Sequence, residues 1–182
     1  MVPVGLSQSA TFLVGKYLGK NRPDLAKKIA AQIRLVTFIW SLSSAILVYF
    51  LIEPIMNIYT DSEPVLDVMR KAWWVLCIFV FFDCMQGVIN GIVSGLGIVK
   101  KVKFATLVSY WVYGIPLSYY CMFKLDMGIE GLWFGPSLAV ALNYAVYEYA
   151  IGKADWYEVA EQNLKKNKQQ ADSMSPTKPV DK

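Results

Sequence analysis

The chain has 182 residues, of which 55% are hydrophobic and 18% are charged, and its mean hydropathy is +0.38. Soluble domains are usually about 45–50% apolar and about 25% charged, so this composition excludes an ordinary soluble globular domain. The net charge of +4 does not indicate nucleic-acid binding, because the basic residues flank apolar runs and form no single stripe with interleaved aromatic residues.

Five apolar runs follow one another along the chain, and each is about long enough to cross a bilayer as an α-helix. The alternation over about ten residues that membrane strands require is absent, and backbone groups in lipid need internal partners. The sequence therefore predicts an all-α, polytopic transmembrane bundle of about five helices within residues 1–157. The predicted spans are about 1–18, 35–54, 72–98, 104–123 and 131–152.

Basic residues collect in alternate connections of this bundle, namely after the first, third and fifth runs. The positive-inside rule places these connections and the C-terminus in the cytoplasm, with the N-terminus outside. Residues 155–164 are expected to form a short amphipathic helix on the cytoplasmic surface. The polar tail, residues 158–182, is predicted to be cytoplasmic and largely disordered.

One acidic residue, Asp83, lies within the third apolar run, about eleven residues after Ala72. At 1.5 Å per residue this separation is about 16 Å, which is near the middle of a bilayer core. Carboxylates at that depth are costly and usually face a cavity or a partner. Asp83 is therefore a candidate site for coupling to a proton or another cation. The alternative is an aspartate near a helix end whose side chain reaches water.

The helix that carries Asp83 has further polar residues on the same face. At helical spacing from it stand Gln86, Asn90 and Ser94. Such a polar stripe indicates a bundle interior or an aqueous pathway. Small residues repeat every fourth position beside it: Gly87, Gly91 and Gly95. Close packing of helices is the favoured interpretation of these glycines, ahead of a direct role in a site.

The fourth and fifth runs each carry one notable feature. Pro116, which follows Gly114, predicts a kink or a loosened turn within the fourth helix. Asn143, Tyr147 and Glu148 give the fifth helix a modest polar side, and Glu148 is interpreted as an interfacial residue.

The chain contains no nucleophile with an adjacent base, no Gly-rich phosphate loop and no Walker-type lysine, so neither enzymatic catalysis nor ATP-driven pumping is predicted. It has no histidine, and its three cysteines form no Cys-x-x-Cys pair. No metal site, disulfide framework or cofactor is therefore expected.

Six short patterns occur in a fixed order along the chain. They are P-V-G-L-S from Pro3, E-P-I from Glu53, D-C-M-Q-G-V from Asp83, G-I-P-L from Gly114, G-L-W-F-G from Gly131 and D-W from Asp155. In this order and spacing the sequence, from Met1 to about Ala160, resembles the multidrug and toxic compound extrusion (MATE) transporters. The resemblance implies helices eight to twelve of a twelve-helix transporter, which make up most of its C-terminal lobe.

The resemblance implies a secondary active antiporter that exports organic, often cationic, compounds or xenobiotics in exchange for H⁺ or Na⁺, in a plasma or organelle membrane. It implies that Asp83 binds the coupling ion and that other residues line the cavity: Gln86, Asn90, Tyr113, Asn143 and Tyr147. Hinge or packing roles are expected of Gly87, Gly91, Gly95 and Pro116. The expected partners are the lipid bilayer, a small organic substrate and the missing N-terminal lobe, without which this fragment is expected to be inactive.

Two alternatives remain open from the sequence. One is a lipid-linked oligosaccharide flippase of the same superfamily, although the Q-G-V and G-L-W-F-G patterns fit drug exporters better. The other is a membrane subunit that does not transport and only assembles with partners.

Overall fold

The structure is a computed structural model that describes residues 2–174, with side chains described through Lys165, and within this range all regular structure is helical. Its elements are α1 (Val2–Gly19), α2 (Pro23–Phe50), α3 (Ile52–Tyr59), α4 (Glu63–Leu96), α5 (Val99–Val108), a π-helical segment (Ser109–Gly114), α6 (Ile115–Phe123), α7 (Gly128–Lys153) and α8 (Trp156–Met174). Since α5, the π segment and α6 adjoin without a break, they form one continuous helix. The all-α helical bundle predicted from the sequence is confirmed.

The helix boundaries follow from local chemistry. Pro23 begins α2, where its missing N–H is one of those that a helix start leaves free in any case. Gly97 ends α4 in the left-handed conformation, with φ of 72°, and its N–H donates to carbonyls of the last turn. This conformation suits a residue without a Cβ, so the chain can turn at Gly97 and start α5 at Val99.

Helix α4 is the central element, and its most extensive contacts are with α1, α2 and α7. The continuous helix from α5 to α6 lies along α7. A large apolar cluster joins α1, α2 and the second half of α4 to α5, α7 and α8, with Val14, Ile92 and Val102 almost fully buried in it. A smaller cluster around Met56 and Trp73 packs α3 against the first half of α4.

Two of the helices, α2 and α4, are long and apolar enough to cross a membrane. The outward side of α2 carries large exposed apolar side chains, including Leu35, Ile39 and Phe50, which is the pattern of a helix that meets lipid. The other three predicted spans correspond to α1, the continuous helix from α5 to α6, and α7. That these three also cross the membrane stays a prediction.

The C-terminal part of the chain differs from the predicted disordered tail, because α8 continues to Met174. The Asp155 carboxylate accepts hydrogen bonds from the backbone N–H groups of Tyr157 and Glu158, which caps the first turn. Ala160 is fully buried, in the apolar cluster that also contains residues of α1 and α2. The cap and the buried Ala160 stabilise the first turns of α8, and the rest of the predicted tail, residues 175–182, lies outside the described range.

Candidate functional site

The predicted site residue Asp83 lies on an exposed side of α4. Asp83 and Asn90 are exposed, and Gly87 and Ser94 beside them are half-buried. None of the ion pairs among the described residues involves Asp83. The structure therefore places Asp83, Asn90 and Ser94 of the predicted polar stripe on an open face of α4, whereas Gln86, the fourth member, is buried.

The α1 side of this face is closed by direct backbone contacts. The Ser7 hydroxyl donates to the Gly87 carbonyl at 2.7 Å, and the Thr11 hydroxyl donates to the Gly91 carbonyl at 3.0 Å. A methyl group at Gly91 would collide with the Ser7 backbone, and one at Gly95 would lie 2.9 Å from Val14 Cβ. Gly91 and Gly95 therefore serve the close packing that was predicted for small residues at this spacing, whereas a methyl group at Gly87 would meet no atom within 4 Å.

The α7 side of the face is closed by aromatic side chains. Phe79 and Trp133 lie edge to face with ring centroids 5.5 Å apart, and Phe82 lies 6.5 Å from Tyr144. Gln86, which is 9% exposed, is on this flank of α4, and its Oε1 is buried without a hydrogen-bond partner among the described residues. Gln86 Oε1 lies one helical turn from the exposed Asp83 carboxylate, so this part of α4 is rich in oxygen acceptors.

Asn143 and Tyr147 are buried together at the contact between α5 and α7. The Thr106 hydroxyl donates to Asn143 Oδ1 at 3.1 Å and lies 2.9 Å from the Tyr147 hydroxyl. Asn143 is 2% exposed and Tyr147 is 5% exposed. These two predicted site residues therefore form a closed polar cluster inside the lobe, with Thr106 as a member that the sequence analysis did not include.

Tyr113 does not join that cluster, because it is 55% exposed on the outer side of the π segment. Its neighbour Gly114 is the residue that packs on α7, against Ala139. Tyr110, one turn earlier, is half-buried. The π turn adds one residue to the helix, and of the two tyrosines in this segment Tyr110, not Tyr113, is partly buried.

Two other groups lie outside the Asp83 face. Glu148, interpreted as interfacial, forms an ion pair with Arg34 of α2 at 2.7 Å. A cleft of about 490 Å³ between α6 and α7 is lined mainly by apolar residues, with Pro116 adjoining it in the chain, and it does not include Asp83.

Known proteins similar to this chain agree with the fold. The MatE family model matches residues 1–120. The probable multidrug resistance protein NorM of Photorhabdus laumondii is 31% identical over 144 residues, which are 76% of this chain and 32% of that protein. Multidrug and toxin extrusion protein 2 of Mus musculus is 28% identical over 162 residues, or 89% of this chain and 28% of the relative.

A solved structure has the same fold over most of the chain. The crystal structure of the eukaryotic MATE transporter AtDTX14 superimposes with a TM-score of 0.85 at 20% identity, over 91% of this chain and 37% of that one. The chain spans about a third of the length of the curated relatives it matches. On the evidence of the family match and the helical fold, the chain belongs to the MatE family of multidrug and toxin extrusion transporters, which are integral membrane proteins.

Proposed function

We propose that the chain supplies the ion-coupling part of a secondary active antiporter, which exports organic, often cationic, compounds in exchange for H⁺ or Na⁺. The observation that carries this proposal is the open polar face of α4, where Asp83 and Asn90 are exposed between the flanks covered by α1 and α7. In this proposal Asp83 binds the coupling ion.

The physical argument is the cost of leaving an ionised carboxylate against lipid. Within a membrane-spanning helix such a group needs water, a cation or a proton. Asp83 lies in the second half of α4, and the buried Gln86 Oε1 one turn away has no hydrogen-bond donor in the part of the chain that the structure describes. Neither Asp83 nor Gln86 is paired with a basic side chain in the ion pairs of the described residues. Their oxygens therefore suit a bound cation or a proton shared with water.

We further propose that transport takes place only when a second multi-helix lobe faces α4. Alternating access commonly depends on two repeats that move around a site at their interface. This chain matches about a third of each relative, so its open face would meet that second lobe. Alone in a membrane the chain is therefore expected not to transport.

A chimera tests both parts of the proposal. Residues 1–160 replace the matching segment of the Photorhabdus relative, and the product is reconstituted in proteoliposomes that contain a fluorescent organic cation. Efflux is followed after a pH or Na⁺ gradient is imposed, in parallel with vesicles that contain this chain alone. We expect gradient-driven efflux from the chimera and none from the chain alone.

The site assignment is tested in the same chimera with two matched carboxylate changes. Asp83→Asn is expected to remove most of the gradient-driven efflux. Asp61→Asn, at an exposed position between α3 and α4, is expected to leave it unchanged. Coupled efflux that survives Asp83→Asn would remove Asp83 from the proposal, and efflux from the chain alone would remove the need for a second lobe.

A further inference from the structure

A polar cleft lies at the other end of the bundle from α3, where α2, the end of α7 and the start of α8 meet. Its volume is about 290 Å³, and its lining includes Lys27, Arg34, Glu148, Gly152 and Trp156. Two cations and one carboxylate therefore share one cleft, which carries a net positive charge.

Both carboxylate oxygens of Glu148, the acidic residue of this cleft, already accept hydrogen bonds. Glu148 Oε2 accepts a hydrogen bond from Arg34 Nη1 at 2.7 Å, and Oε1 accepts one from the Tyr144 hydroxyl at 3.2 Å. Arg34 Nε donates to the Ala30 carbonyl at 3.4 Å. The guanidinium is thus held in place by its pair, and its Nη2 has no hydrogen-bond partner within residues 2–165.

The second cation of the cleft is less constrained. Lys27 Nζ lies 4.9 Å from the centre of the Tyr157 ring, and it belongs to none of the ion pairs among the described residues. An ammonium over a ring keeps its N–H groups available on the opposite side. Lys27 can therefore donate to an acceptor in the cleft while it stays in contact with Tyr157.

The position of the cleft along the membrane normal indicates which kind of hydrogen-bond acceptor reaches it. Arg34 directly precedes the apolar run that starts at Leu35, and Gly152 ends the predicted fifth span. Trp156, 6% exposed, is the first residue of α8. The cleft therefore lies where apolar helix segments end, at the level of the headgroups, on the side that the positive-inside rule assigns to the cytoplasm.

We propose that this cleft binds the phosphate group of an anionic lipid headgroup. Basic pockets between membrane helices on the cytoplasmic side suit such headgroups. Arg34 offers a guanidinium whose orientation is fixed by Glu148, and Lys27 offers a mobile point charge. The same chemistry would accept free phosphate, so the experiment separates the two sources. The proposal does not depend on the role of Asp83.

The experiment measures lipid binding to the full chain, purified in a neutral detergent, by native mass spectrometry. The probes are phosphatidylglycerol, phosphatidylcholine with the same acyl chains, and inorganic phosphate. The test variant is Lys27→Gln, and the matched control is Lys28→Gln, which removes the same charge from an exposed neighbour outside the cleft. Lys27→Arg restores the charge, and thermal unfolding verifies that all variants are folded.

We expect phosphatidylglycerol to bind more tightly than phosphatidylcholine. One basic residue near a membrane surface is worth about 1 kcal/mol, so Lys27→Gln should weaken phosphatidylglycerol binding about fivefold. Lys28→Gln should change it little, and Lys27→Arg should restore it. Equal losses in Lys27→Gln and Lys28→Gln, or equal binding of both lipids, would overturn the site. Inorganic phosphate that displaces the lipid at equal concentration would overturn the assignment to a lipid.

Discussion

Arg34 of α2 and Glu148 of α7 are joined across the bundle, with Nη1 of the arginine 2.7 Å from Oε2 of the glutamate. Their side chains are 32% and 28% exposed, so water screens the pair only in part. The two helices otherwise touch little, because both pack mainly on α4 or its neighbours. The ion pair is therefore a direct contact between α2 and α7, which the apolar core connects only indirectly.

Breaking the ion pair between Arg34 and Glu148 is expected to destabilise the lobe. Exposed ion pairs contribute about 0–1 kcal/mol, and removing one partner of a buried pair costs about 3–5 kcal/mol, so Glu148→Gln should cost about 1–3 kcal/mol. The measurement is the free energy of unfolding in detergent for Glu148→Gln, Arg34→Gln and the double variant. The double variant should cost less than the two single changes added together. Strict additivity would mean that the two side chains do not stabilise each other.

A second prediction concerns the glycines that repeat every fourth residue in α4, because Gly87 and Gly91 have different surroundings. A methyl group at Gly91 would collide with the Ser7 backbone of α1, whereas one at Gly87 would meet no atom within 4 Å. Gly91→Ala should therefore destabilise the chain by about 1–3 kcal/mol, as overpacking does. Gly87→Ala should be neutral or should stabilise by up to about 1 kcal/mol through helix propensity. Thermal unfolding of both variants decides this, and equal effects would contradict the contact between α1 and α4.

Helix α4 also shows which features of the site can be predicted from the sequence and which cannot. Helical spacing alone places Asp83 and Asn90 on one face, and the structure places them so. Spacing cannot tell which neighbour covers the edges of that face, and for this reason Gln86 is buried while Asn90 is exposed. It also cannot distinguish Gly87 from Gly91, since the difference depends on where α1 crosses.

The position of Tyr113 could not be predicted because the helical period changes locally. The Ile115 N–H donates to the Tyr110 carbonyl, a bond over five residues that adds one residue to the turn. Pro116, which the sequence marks as a kink, follows directly and lacks an N–H of its own. A period of 3.6 residues therefore assigns the wrong face from this turn onward. A Thr–Tyr pair at the i, i+4 positions 106 and 110 is the signal that could have identified the inward side.

Tyr157 of α8 allows a prediction about pH outside the membrane spans. Its hydroxyl donates to Asp24 of α2 at 2.6 Å, and this hydrogen bond together with the aspartate charge raises the pKa of Tyr157 above its ordinary value. Because the pKa in the folded state is the higher one, the contribution to α8 docking is complete below a pH of about 10 and is lost as the pH rises through the raised pKa.

The measurement is a spectrophotometric titration of phenolate absorbance in the wild type, with the titration of Tyr157→Phe subtracted. The difference should titrate above the ordinary tyrosine range. In an Asp24→Asn background the midpoint should fall towards that range, because the negative charge is gone. A midpoint that does not respond to Asp24→Asn would contradict the bond between α8 and α2.

The buried cluster of Thr106, Asn143 and Tyr147 supports the last prediction, which separates hydrogen bonding from packing. Thr106→Val keeps the shape of the side chain but leaves Asn143 Oδ1 and the Tyr147 hydroxyl without their shared partner. A buried polar group without a partner costs about 1–3 kcal/mol, so unfolding should become easier by at least that amount. Thr106→Ser keeps the hydroxyl and loses one methyl group, so it should cost less than the valine variant. If thermal unfolding gave the opposite order, the contact between α5 and α7 would depend on apolar packing, and the polar cluster would have no part in holding the continuous helix against α7.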